Sequence, residues 1–148
     1  MGHFRNITLN NYRNFSNFNF NFCEGTNLII GKNGTGKTNI LEAISLFEKG
    51  RGFRKEKIIN LVSYNNQSEG FSISSDFQNK EINYDINVFS SEKNTKKINK
   101  NKNLEKESIK NFTSLFSIIY FLPEMERLFL APPSFRRNFL DRLIFCSN

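Results

Sequence analysis

Residues Gly31-Lys32-Asn33-Gly34-Thr35-Gly36-Lys37-Thr38 fit the pattern Gly, four of any residue, Gly, Lys, then Ser or Thr. Nothing else in the chain restricts its fold as strongly, because the pattern works as a loop joining a strand to a helix. Its glycines let the backbone curl so that successive NH groups point inward at phosphate oxygens, where a side chain would block the approach. Lys37 is placed to bridge the β and γ phosphates and Thr38 to hold Mg²⁺ through its hydroxyl. A helix opening at Gly36 adds the positive end of its dipole to the anion site. With this chain's own residue frequencies, about one chance match in 200 is expected. The flanks agree with the pattern. Leu28-Ile29-Ile30 is a short, wholly apolar run of the kind found in strands covered on both faces, and Gly31 breaks it. After Gly36, Ile40, Ile44 and Phe47 recur at helical spacing with Leu41 beside them, and Gly50 offers a stop.

Period-two alternation appears before the loop, with Ile7 and Leu9 on one face, then Phe18, Phe20 and Phe22 opposite Asn17, Asn19 and Asn21. Asn11-Tyr12-Arg13-Asn14 supplies the turn between them, since Asn tolerates left-handed backbone angles. A second hairpin is expected over residues 71–89, from Phe71 and Ile73, then Ile82, Tyr84, Ile86 and Val88, around a Gln78-Asn79-Lys80 turn. Residues 90–103 carry one apolar side chain, Ile98, and read as loop or marginal hairpin. Leu104 to Phe112 reads as a short helix and Ser117 to Leu122 as another buried strand. Pro123 then starts a helix with Met125, Leu128 and Phe129. Ala131-Pro132-Pro133 interrupts it, and Ser134 is the expected N-cap of a last helix bearing Phe135, Phe139, Leu140, Leu143 and Ile144.

The 148 residues make one domain's worth of chain, without internal repeats and with 21 Lys plus Arg against 14 Asp plus Glu, a net charge of +7. The longest apolar runs fall far short of the ~20 residues a membrane-spanning helix requires. The first residues lack the apolar stretch of a secretory signal, so the expected location is the cytoplasm, with no membrane partner. Cys23 and Cys146 lie far apart and His3, the only histidine, falls in an expected loose terminus, so neither a metal cluster nor a histidine relay is indicated.

A hydrolysing site also needs a carboxylate at a strand end to help hold Mg²⁺, and a group to position the attacking water. Glu124 follows Pro123 and reads as the first-turn acid of a helix; Asp141 reads as a solvated helix residue. No catalytic residue is assigned.

Five segments together resemble the N-terminal part of the RecF family: Asn11-Tyr12-Arg13-Asn14-Phe15; the loop with Asn39-Ile40-Leu41-Glu42-Ala43-Ile44; Gly50-Arg51-Gly52-Phe53-Arg54; Phe121-Leu122-Pro123-Glu124; and Pro133 through Arg136-Arg137-Asn138-Phe139-Leu140-Asp141. The resemblance spans most of residues 4–145, with no alignable motif over 60–115. It implies an α/β fold of the P-loop NTPase class, the N-terminal, Walker A half of an ABC/SMC-type ATPase head with a mixed sheet and antiparallel hairpins. It also implies ATP and Mg²⁺ as cofactors, gapped or single-stranded DNA as partner, and a role in DNA replication and recombinational repair, linked in the family to the SOS response. Family heads pair around ATP through a Leu-Ser-x-Gly signature, which does not occur in this sequence. The family's Walker B strand lies, like that signature, in its later half, so completion by that half or by a second head is expected, with little or no turnover alone.

Two stretches concentrate positive charge, Lys49 to Lys57 and Lys93 to Lys102. The second reads as a solvated face. Arg51 and Arg54, in the Gly-Arg-x-Phe-Arg motif, are the candidates for nucleic-acid contact, because guanidinium groups grip phosphate with paired donors. Two other readings compete: a transporter-type ABC ATPase fragment, which needs a glutamine at a strand end after the loop, and an inert fragment that depends on a partner.

Overall fold

The computed structural model describes residues 2–48, 50–66, 69–79, 82–90, 96–101, 117–130 and 132–147. Six strands form one sheet: β1 (Gly2–Phe4), β2 (Asn6–Tyr12), β3 (Phe15–Asn21), β4 (Ser72–Asn79), β5 (Ile82–Ser90) and β6 (Lys96–Asn101). The order is β3-β2-β4-β5-β6, with β1 also on β4. Helix α1 (Lys37–Ser45) follows the glycine loop, and helix α2 (Pro133–Ser147) ends the described chain.

Both expected hairpins form. β2 and β3 pair antiparallel from Asn6↔Asn21 to Tyr12↔Phe15, so Arg13 and Asn14 make a two-residue turn. β4 and β5 pair from Ser72↔Phe89 to Asn79↔Ile82. Alternation places Ile7 and Leu9 of β2, Ile73 and Phe77 of β4, and Ile86 and Val88 of β5 in one buried cluster with Ile40, Ala43, Leu46 and Phe47 at and just beyond α1. Each Ile, Leu, Val or Phe side chain of the cluster, when fully buried, contributes roughly 1.5–3 kcal/mol. This cluster fixes α1, and with it the loop's helical end, against the sheet.

Several expectations change. The N-terminal residues form β1, whose His3 stands in register with Gln78, rather than a loose end. Residues 96–101 form an edge strand on β5, from Asp85↔Asn101 to Ser90↔Lys96. A ladder on one side is sufficient for an edge strand. Leu28-Ile29-Ile30 and Ser117 to Leu122 run as coil, with Leu28 79% and Ile30 82% exposed. A wholly apolar strand needs neighbours on both sides to satisfy its backbone, and none of the described strands pairs with either segment. All ladders among the described residues are therefore antiparallel, and a parallel portion of the sheet is not among them.

Helix α1 ends at Ser45, short of Gly50, where the Ser45 hydroxyl donates to the Glu42 carbonyl (2.7 Å) and accepts from the Phe53 NH (3.2 Å). The segment from Pro123 to Leu130 is a 3₁₀ helix, opened by the Met125 NH donating to the Leu122 carbonyl at 2.8 Å. Helix α2 starts at Pro133, and its first turn bonds to the Pro132 carbonyl, so Ser134 lies inside the helix instead of capping it. The short helix expected over Leu104 to Phe112 lies outside the described residues.

Candidate nucleotide site

The glycine loop turns into α1 at Gly36, whose φ of 98° is left-handed. A Cβ there would stand 2.6 Å from the Phe15 ring and 2.8 Å from the Asn14 amide, so both backbone angle and packing require glycine. The β2–β3 turn thus sits directly against the loop. The Asn14 amide donates to the Thr35 carbonyl (3.4 Å), and the Asn39 amide donates to Asn14 Oδ1 (2.8 Å). Within the loop, the Thr35 hydroxyl donates to the Lys32 carbonyl at 2.9 Å. The Lys37 ammonium donates to the carbonyls of Gly31 and Lys32, each at 2.7 Å. The Lys37 side chain therefore folds back over the loop from the first turn of α1.

A cavity of about 380 Å³ opens here, lined by Asn33, Gly34, Lys37, Thr38, Asn39 and Arg54, among others. It is within the range of about 300–1,000 Å³ usual for small-ligand sites. The residues that line it include two cations, a hydroxyl and a helix N-terminus, but no carboxylate. This donor set fits a phosphate group with its Mg²⁺: Lys37 and the loop NH groups for the anion, Thr38 Oγ1 for the ion. The loop residues singled out in the sequence are thus brought together.

Glu42, by contrast, carried no assignment from the sequence beyond its place in a motif. Its side chain is completely buried under α1. Arg13 Nε donates to Oε2 (3.0 Å) and Nη2 to Oε1 (2.8 Å), a bidentate pair, and Arg54 Nη1 donates to Oε2 (3.3 Å). The Tyr12 hydroxyl also donates to Oε2, at 3.1 Å. Burial, followed by the charge of Glu42, holds the Tyr12 phenol well above its ordinary pKa. For Arg13, burial pulls the pKa down, but the hydrogen bond and charge of Glu42 outweigh it and raise the guanidinium above its ordinary value. Arg13 also adopts a left-handed φ of 54°, uncommon for a long side chain, in the turn that this pair anchors. The only available sequence signal was a glutamate on the helix that bears the core's Ile40 and Ala43, with arginines in the flanking segments.

The two candidate DNA contacts differ. Arg51 is exposed. Arg54 is tied to Glu42 and, through Nη1, to Asn39 Oδ1 at 3.0 Å, and it lines the phosphate-loop cavity. A second ion pair links Arg142 of α2 to Glu48; Arg142 also donates to the Ile118 carbonyl (3.0 Å) and stacks over the Tyr120 ring at 4.4 Å. Asp141 is exposed, in keeping with a solvated helix residue. Gln78 lies near the end of β4 but lines a different cavity, with His3 and Asp76. Among the described residues no His/Cys/Asp/Glu cluster suits a metal, and no helix is long and apolar enough to cross a membrane.

A strand hairpin braced against a glycine loop, with the loop opening a helix and a lysine folded over it, is the arrangement of a P-loop fold. The chain belongs to the AAA ATPase domain family, which matches residues 4–128. The relatives it matches include RecF proteins. It is 32% identical over 139 residues to the DNA replication and repair protein RecF of Natranaerobius thermophilus, covering 93% of this chain and 36% of that one. With the RecF of Caldanaerobacter subterraneus it shares 35% over 143 residues, 95% of this chain and 38% of that one. Among solved structures, the recombination mediator protein RecF-ATPrS of the RecFOR pathway superposes with a TM-score of 0.79 at 32% identity. That match covers 99% of this chain and 39% of the other; RecF-ATP gives a TM-score of 0.77. The chain thus spans well under half the length of these relatives. The RecF resemblance read from five segments is borne out, and so is the N-terminal P-loop ATPase fold.

Proposed function

We propose that this chain carries a nucleotide half-site of RecF type, binding ATP with Mg²⁺ at Gly31 to Thr38 and associating with DNA in replication and recombinational repair in the cytoplasm. The observation that carries the reading is the Lys37 ammonium held over the loop carbonyls at the mouth of a cation-lined cavity. Lys37 exchanges those carbonyls for phosphate oxygens, while the loop NH groups and the start of α1 take the remaining negative charge. Thr38 Oγ1 holds the ion. Bound Mg²⁺ would neutralise phosphate charge and fix the phosphates' geometry. Gly36 and Asn14 anchor the helical end of the loop against the hairpin, which reduces the ordering required at binding.

Turnover requires a carboxylate and a water-positioning group at the phosphates, and none of the described residues lining the cavity is acidic. The chain therefore binds without appreciable hydrolysis until the remaining part of a RecF-type head, or a second head, completes the site. Arg51 is the exposed contact for DNA phosphates, which makes log affinity fall linearly with log salt.

Calorimetry of Mg-ATP binding to the full chain tests this reading. Binding is expected in the parent chain and loss of at least tenfold in Lys37→Ala with the fold retained. A folded parent that takes up no ATP would contradict it.

A further inference from the structure

Glu42 lies outside the phosphate cavity, yet its carboxylate grips two guanidinium groups, one of which lines that cavity. The two grips are unequal. Arg13 is bidentate and mostly buried, whereas Arg54 contributes one nitrogen at 3.3 Å and keeps 36% of its side chain exposed. The same nitrogen of Arg54 donates to Asn39 Oδ1 at 3.0 Å, and Asn39 is itself bonded to Asn14 of the turn that braces the loop. Arg54 is thereby fixed beside Lys37 and Thr38 by two acceptors on α1. Arg13 also reaches Glu56 at 4.0 Å, so it does not depend on Glu42 alone, and the Arg54 guanidinium that shares Glu42 lines the cavity where an anion is expected.

We propose that Glu42 is a positioning residue for the phosphate site: it holds the Arg54 guanidinium at the cavity rim as a further donor to the nucleotide's phosphates, so nucleotide affinity depends on Glu42 through Arg54. This rests on the nucleotide reading above and assigns Arg54 to nucleotide, leaving Arg51 as the contact for DNA. Arg suits the role because its planar fork keeps donors for phosphate while one nitrogen stays bound to Glu42 and Asn39.

A double-mutant cycle read by Mg-ATP calorimetry on the full chain tests it, with thermal melts verifying that each variant is folded. Arg54→Ala, which leaves the Arg13–Glu42 pair in place, is expected to weaken ATP binding about tenfold. Arg54→Lys recovers part of that loss. Glu42→Gln weakens binding by a similar factor in the parent but by less than about twofold in the Arg54→Ala background, a coupling that mere loss of stability does not produce. Should Glu42→Gln melt below the assay temperature, Glu42→Asp, which keeps the charge but shortens the reach, takes its place in the cycle. Unchanged affinity in Arg54→Ala, with binding still abolished in Lys37→Ala, overturns this proposal alone. Equal losses from the Glu42 change in both backgrounds also overturn it. A parent chain that binds no ATP overturns the nucleotide reading and this proposal with it.

Discussion

Among the described residues, α1 and α2 each carry an apolar stripe and meet different fates. α1 and its C-terminal turn bury Ile40, Ala43, Leu46 and Phe47 against the sheet, while α2 leaves Leu140 55% and Ile144 59% exposed. The same contrast separates the strands β2 and β4, whose Ile7, Leu9 and Ile73 are fully buried, from the coil at Phe121, 74% exposed. Periodicity therefore specifies which face an element can bury, but burial itself depends on what is there to receive it. The phosphate loop joins the well-packed region at its helical end, where Gly36 is buried between the hairpin and α1, while residues 31–35 are exposed. The segments 28–30 and 117–122 carry the composition of buried strands without a ladder among the described residues.

Paired truncations probe this contrast. Leu46→Ala removes a fully buried side chain beside α1 and is expected to cost about 2–5 kcal/mol in urea unfolding. Leu140→Ala, on the exposed stripe, is expected to stay within about 0.5 kcal/mol. Comparable losses at both positions would mean that α2 is packed as tightly as α1.

A smaller effect comes from the buried network under α1. Tyr12→Phe deletes the hydroxyl bond to Glu42 and is expected to cost about 1 kcal/mol near neutral pH. Because the phenol pKa is raised in the fold, the folded state retains its proton while the unfolded chain loses it near pH 10. The unfolded state then binds fewer protons, so this contribution to stability is complete below about pH 10 and declines as pH rises above it. The stability difference between the parent and Tyr12→Phe should shrink over that alkaline range; a constant difference would place the Tyr12 hydroxyl outside the buried network.

How much of this was legible in the sequence follows from how local each signal is. The loop, its helix and both hairpins depend on short-range rules, glycine angles, turn residues and side-chain period, and all form, although α1 stops at Ser45 and Asn11, Tyr12, Gln78 and Asn79, read as turn residues, extend strands instead. β6 was hidden because its pairing comes from a neighbouring strand, not from its own composition. Glu42 was hidden for a related reason. On a helix wheel it is one charged residue among apolar ones, and only the fold brings Arg13 from 29 positions earlier and Arg54 from 12 positions later to the same carboxylate. The apolar runs at 28–30 and 118–122 were misread in the opposite sense: their composition is that of a strand, but strands require partners.

Hydrogen exchange on the full chain with and without Mg-ATP reads both regions at once. The account predicts slower exchange over residues 31–38 and the braced turn at 12–15, with residues 117–122 unchanged. No added protection at 31–38 under saturating Mg-ATP would contradict it.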